Sequence, residues 1–199
     1  NKPEWEYWSA ETHDSWNVND YSIVTKDDFL NSLSKEKLHK GLYLNRRFRT
    51  HRIKFYKKLW EDGLLTNDLL YSYDLKMFDN IDEFEKDPNY TEFIQFLKIN
   101  NPKHVDITNF DIIQGYGFEV KDTYLKTYFS IITETMFDEE NGYISEKTWK
   151  PIAQFHPFII FGRPGVLSKL KEFGFKTFEP WIDESYDSIE NNDERFDAI

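Results

Sequence analysis

The chain has 199 residues, with 25 Lys and Arg against 36 Asp and Glu, a net charge of −11 and no cysteine. That length holds one good core or two small ones. The acidity excludes a general nucleic-acid or anionic-membrane binder, because both partners need a basic surface, and the lack of cysteine excludes disulfides, thiolate nucleophiles and zinc–thiolate sites.

Charged residues at 31% and hydrophobic residues at 39% describe a folded domain, not a disordered chain. The 18 Phe and 12 Tyr predict large packed surfaces and some stacking sites. No apolar run reaches membrane-spanning length and no signal-peptide pattern opens the chain, so a cytoplasmic location is expected. The first residue is Asn1, which suggests a piece of something longer.

In chain order, residues 1–40 form a lead-in of irregular pattern, with a short helix expected over "TKDDFLNSLS", capped by Thr25 or Asp27. "GLYLN" (41–45) reads as a strand and "RRFRT" as a loop. "HRIKFYKKLWEDG" then reads as a helix with Ile53, Tyr56, Leu59 and Trp60 on one face, ending at Gly63. "LLYSYD" (69–74) is the next strand, and residues 81–102 read as two helical pieces interrupted near Pro88. "HVDIT" (104–108) and "TYFSIITET" (127–135) read as strands, the second apolar enough to be buried on both faces. A helix over Ser145 to Phe155, a strand "PFIIFG" (157–162), a helix "GVLSKLKEFG" (165–174) and a short strand "FKTF" (175–178) follow. "SYDSIENNDERFDAI" (185–199) reads as a helix cut off by the chain end, whose Phe196 and Ile199 are expected to continue onto a partner surface.

This alternation from residue 41 onward predicts an α/β, Rossmann-like fold with a largely parallel sheet and helices on both faces. In such folds ligands lie at the carboxyl ends of the strands, where loops enter helices. Two unusual stretches fall there. Between Lys35 and Lys58 stand Lys35, Lys37, Lys40, Arg46, Arg47, Arg49, Arg52, Lys54, Lys57 and Lys58 against one acid, Glu36. A solvated helix face accounts for Lys54, Lys57 and Lys58, whereas "NRRFRTHR" suits a diphosphate receptor built from guanidinium groups and helix-start N–H groups.

The second stretch is "NGYISEKTWKP" (141–151). Ser145 can cap the helix and Glu146 suits its positive end, but Lys147 in the same turn is unfavourable unless an anion lies in front of it. A carboxylate can accept both hydroxyls of a ribose while the neighbouring ammonium meets a phosphate. A plain helix cap and a ligand site both fit. The five histidines show no metal-ligand spacing, so no metal and no cofactor are expected.

The run "YFSIITETMFDEENGYISEKTWKPIAQFHPFIIFGRPG" resembles the donor-binding segment of the α-1,3-fucosyltransferase family among GT-B glycosyltransferases, with Tyr143, Ile144, Ser145, Glu146 and Lys147 matching its pattern. "RTHRIKFYKKL" resembles that family's upstream helix, with Arg52 at the arginine position. The likeness spans residues 42 to 165 and is tight around 143 to 147; Thr135 stands where the family has asparagine.

The resemblance implies that Glu146 holds the nucleotide ribose, that Lys147 and Arg52 hold the diphosphate, that Tyr143 lines the nucleotide pocket and that Glu134 stands near the donor sugar or ribose. Ser145 completes the donor-binding set. It further implies one half of a GT-B fold: residues 41–199 as the donor-binding domain, and residues 1–40 as a lead-in or remnant of an acceptor domain, with the acceptor base outside this chain. The expected activity is metal-independent, inverting transfer from a nucleotide-diphosphate sugar, first GDP-fucose or a related GDP-sugar, to a glycan hydroxyl. Its partners are then a nucleotide-sugar donor, a glycan acceptor and a missing N-terminal domain. The alternatives are a non-catalytic nucleotide-sugar or carbohydrate-binding module and an acidic interaction domain.

Overall fold

The computed structural model describes residues 24–45, 47, 49–65, 68–75, 78, 80–100, 121–137 and 144–199. Four parallel strands form the sheet: β1 (His39–Leu44), β2 (Leu69–Ser72), β3 (Thr127–Thr133) and β4 (Phe158–Phe161), in the order β2-β1-β3-β4. Tyr43 lies opposite Tyr71, Leu42 opposite Ser130, and Ile131 opposite Ile159. The expected strand at 104–108 lies outside the described residues.

Because side chains alternate along each strand, the sheet has two apolar faces, and both are covered. On one face Tyr43, Ile131 and Phe161 pack with α2 (Thr50–Glu61) and α4 (Thr91–Ile99) through Ile53, Phe55, Tyr56, Phe93 and Leu97. On the other, Ile132, Phe158 and Ile160 meet α6 (Glu146–Ala153) and α7 (Val166–Glu172), while Leu42 meets α5 (Lys121–Leu125) and the segment around α1 (Lys26–Ser32). Thr25 caps α1 in a capping box with Asp28, so of the two expected caps Thr25 serves. Val24 is buried, and its N–H donates to Gln154 Oε1 at 2.6 Å, so residues 24–38 pack on this same sheet.

Gly41 is needed for close approach: a Cβ there would stand 2.7 Å from Leu69 Cδ2 and 3.1 Å from Phe129. The interruption near Pro88 is present, as α3 (Ile81–Lys86), a 3-10 turn Pro88–Tyr90 and then α4.

Three expectations are corrected. Residues 175–178 form no strand: Phe175 N–H closes α7 on Leu170 O (3.0 Å), and Glu184 takes Phe178 N–H and the Thr177 hydroxyl, both at 2.7 Å. The donors a ladder needs are used locally. The last segment is not one helix but a 3-10 turn (Ser185–Ser188) and α8 (Asn192–Ala198), because the Asn191 side chain accepts the N–H groups of Asp193 and Glu194 and starts the helix afresh. Phe196 and Ile199 do not reach outward; Phe196 packs on Phe161 (5.2 Å) and Phe55 (6.1 Å), and Ile199 joins both cores.

The chain leaves β1 toward β2 on one side and returns past it to β3 on the other. The crevice between the carboxyl ends of β1 and β3 is therefore the topological switch point, where open α/β sheets bind ligands.

Candidate functional site

Two strand ends and two helix starts meet at this edge of the sheet. Directly after β1 stands Asn45, whose Oδ1 accepts the Thr133 hydroxyl from β3 at 2.7 Å. Asn45 is buried, and its Nδ2 has no hydrogen-bond partner. Helix α2 then begins at Thr50 after an extended Arg49 that makes no side-chain cap, with no acid in the first turn. Its positive end is bordered by Arg47, Arg49 and Arg52 instead.

Arg52 is 2% exposed and faces inward. Its guanidinium donates to the main-chain oxygens of Arg47 (2.8 Å), Thr133 (3.2 Å) and Glu134 (3.3 Å), while Nε has no partner. Burial lowers its pKa, with Arg49 adding to the fall and Tyr43, Glu134 and Glu146 opposing it. Neighbouring His51 stacks on Phe137 at 5.3 Å and places Nε2 3.0 Å from Glu134 O. Burial, then Arg52, bring its pKa down to about 4, so the ring is neutral at pH 7 and Nε2–H donates to that carbonyl.

Glu134, the residue after β3, is 1% exposed. Its carboxylate accepts the Ser145 N–H (3.1 and 3.3 Å), the Thr135 N–H (3.1 Å) and the Thr148 hydroxyl (2.5 Å). Ser145 caps α6: its Oγ accepts Lys147 N–H at 3.3 Å.

Glu146 and Lys147 lie in the first turn, their side chains each 24% exposed and 2.6 Å apart. Lys147 Nζ also donates to Thr135 Oγ1 at 3.1 Å. Burial pushes Glu146 up, but Lys147 and then Lys150 outweigh it and leave the carboxyl below its ordinary pKa. Burial pulls Lys147 down against the support of Glu146, and Arg52 adds to the fall. Arg52 thus acts electrostatically on Lys147, and Glu146 on Arg52.

The six residues expected at a donor site thus divide. Glu146 and Lys147 line the crevice; Ser145, Arg52 and Glu134 stand behind them, hydrogen-bonded to the protein except at Arg52 Nε. Tyr143 lies outside the described residues. Arg46 of the basic stretch does too, whereas Arg47 is exposed.

The start of α7 offers a contrast. Asp187 accepts Leu167 N–H (2.9 Å), Ser168 N–H (3.0 Å) and the Ser168 hydroxyl (3.1 Å), so the protein's own carboxylate fills that helix end. Sequence reasoning missed Asp187, and also Asn45, whose only signal was an amide directly after a strand. Beside the crevice, Leu42, Leu44, Tyr124, Ile132, Lys147 and Lys150 line a small half-open cleft of about 40 Å³. Among the described residues no group of His, Cys, Asp and Glu could hold a metal ion, and no helix is long and apolar enough to cross a membrane.

These features define an α/β domain of Rossmann-like type with a charged crevice at its switch point. No known family model, curated protein or solved structure matches the chain.

Proposed function

We propose that this chain is the donor-binding, Rossmann-like half of a glycosyltransferase that takes a nucleoside-diphosphate sugar, with a GDP-sugar such as GDP-fucose as first candidate. The observation that carries this reading is the Glu146–Lys147 pair, which opens α6 at the switch-point crevice opposite the acid-free start of α2. The ends of α6 and α7 are occupied by Glu134 and Asp187, which leaves the start of α2 as the place for a diphosphate. Lys147 and Arg49 flank it, and Glu146 is the natural acceptor for ribose hydroxyls.

In the reaction so read, an acceptor hydroxyl attacks the anomeric carbon, the bond from that carbon to the diphosphate oxygen breaks, and the hydroxyl proton passes to a base. The charge growing on the leaving diphosphate is met by Lys147, Arg49 and the N–H groups of α2, an electrostatic contribution that often dominates catalysis.

One observation favours a second reading, binding without turnover. Neither crevice carboxylate stands ready as a base, since Glu134 is engaged by three donors and Glu146 by Lys147. Calorimetric titration with GDP, UDP and ADP, followed by a transfer assay with the best-bound nucleotide sugar, separates the two. Saturable binding with acceptor-dependent turnover supports the transferase, binding alone supports the module, and no binding removes both.

A further inference from the structure

Glu134 joins the two helix starts that build the crevice. Its carboxylate has about four acceptor positions, and three donors occupy them, with Ser145 N–H shared between both oxygens. Its main-chain oxygen meanwhile takes Arg52 and His51 from the first turn of α2. Gly162, after β4, packs directly beside it: a Cβ there would stand in ordinary contact with Glu134 Cβ and Cγ, at 3.4 Å.

We propose that Glu134 is a positioning residue and not a ligand contact. It fixes the peptide that joins Ile144 to Ser145, directly ahead of α6, and so the direction in which the Glu146–Lys147 pair meets a ligand. This departs from the role that the family resemblance implies for it, and its functional readout rests on the nucleotide-binding reading above. The Ser145 N–H that Glu134 holds lies one residue before the pair, so a small shift there moves both charges together. Displacements of about 1 Å at a binding constellation can cost about 100-fold in function.

The test measures GDP affinity by calorimetry and amide hydrogen exchange at Ser145, on the whole chain. The proteins are wild type, Glu134→Gln, Thr148→Val, the Glu146→Ala/Lys147→Ala variant and the triple variant that adds Glu134→Gln to that pair. Glu134→Gln is expected to weaken GDP binding about tenfold and to speed exchange at Ser145, because an amide cannot accept on both sides. The triple variant is expected to bind within about twofold of the Glu146→Ala/Lys147→Ala variant, since residues acting through one another are not additive.

Losses that multiply would show Glu134 touching the ligand itself and would overturn the proposal, as would unchanged Ser145 exchange in Glu134→Gln. If Glu134→Gln does not fold, Thr148→Val decides: about threefold weaker binding with faster Ser145 exchange supports the proposal, and wild-type behaviour in both overturns it. If wild type does not bind GDP, UDP or ADP, the function proposed above falls, and Ser145 exchange alone then judges Glu134.

Discussion

Lys147 Nζ lies 2.6 Å from a carboxylate oxygen of Glu146, the residue directly before it. Neighbours on a helix do not normally face each other, yet the first turn of α6 brings this pair into contact. The pair is partly shielded, and each member supports the charge of the other. A ligand with hydroxyls and phosphates can replace that contact on both sides at once.

The two charges are therefore expected to separate by ligand. Lys147→Ala should weaken GDP by about 1–3 kcal/mol, the range for a lost charge-assisted hydrogen bond. Glu146→Ala should weaken GDP similarly, yet bind inorganic pyrophosphate more tightly, because Lys147 is no longer neutralised and no ribose is present. Parallel titrations check this. Equal losses for both ligands in Glu146→Ala would remove the ribose assignment.

Cations of the protein are expected to meet the diphosphate without help from a divalent ion. GDP affinity should thus be the same, within about twofold, in excess EDTA and in magnesium. A loss on chelation that magnesium or manganese restores would place a metal in the site and contradict this reading.

Acid should weaken the fold before the carboxylates titrate. Burial depresses His51 and His156 to about 4. His156 is enclosed by Ser130 (2.8 Å) and Thr127 (3.2 Å), with the Lys37 charge adding to the fall. The unfolded chain takes up these protons near pH 6.5 and the native one only near 4. Their contribution is therefore complete above about pH 6.5 and lost as pH falls toward 4, on the order of 3 kcal/mol for each ring. Urea midpoints at pH 7.5, 6 and 5 should fall steadily, and flat midpoints would mean that the rings titrate alike in the native and unfolded chain.

Much of the architecture was legible because strands buried on both faces leave a plain apolar signature. "GLYLN", "TYFSIITET" and "PFIIFG" overlap β1, β3 and β4 for that reason. "FKTF" carries the same composition but lies after Gly174 at φ 88, where local acceptors claim its N–H groups. The site was legible as residue types and not as directions. Arg52 and Glu134 are the residues a donor pocket calls for, yet both turn inward and satisfy the main chain. Which way a residue faces at a strand end depends on partners such as Thr148 and Thr133 from other elements, and no local pattern encodes them.

Arg195 is the strongest single test of how this edge of the sheet is held. It is 1% exposed, and its guanidinium donates to Gly162 O (2.9 Å), Ile189 O (2.7 Å), Glu190 O (3.3 Å), Phe137 O (3.3 Å) and Asn192 Oδ1 (2.6 Å). It also lies 4.6 Å from the centre of the Phe137 ring, whose other contacts include His51 and Phe161. Removing it strands several buried carbonyls at once and loosens the turn after β4 and the end of β3 together. Arg195→Ala should therefore cost about 3–5 kcal/mol in urea unfolding, as the loss of a buried charged partner does. Arg195→Lys should recover only part of this, because an ammonium lacks the planar fork that spans these acceptors. A cost below about 1 kcal/mol for Arg195→Ala would mean that water reaches the freed carbonyls, and that the C-terminal helix α8 docks on the sheet through Phe196 and Ile199 alone.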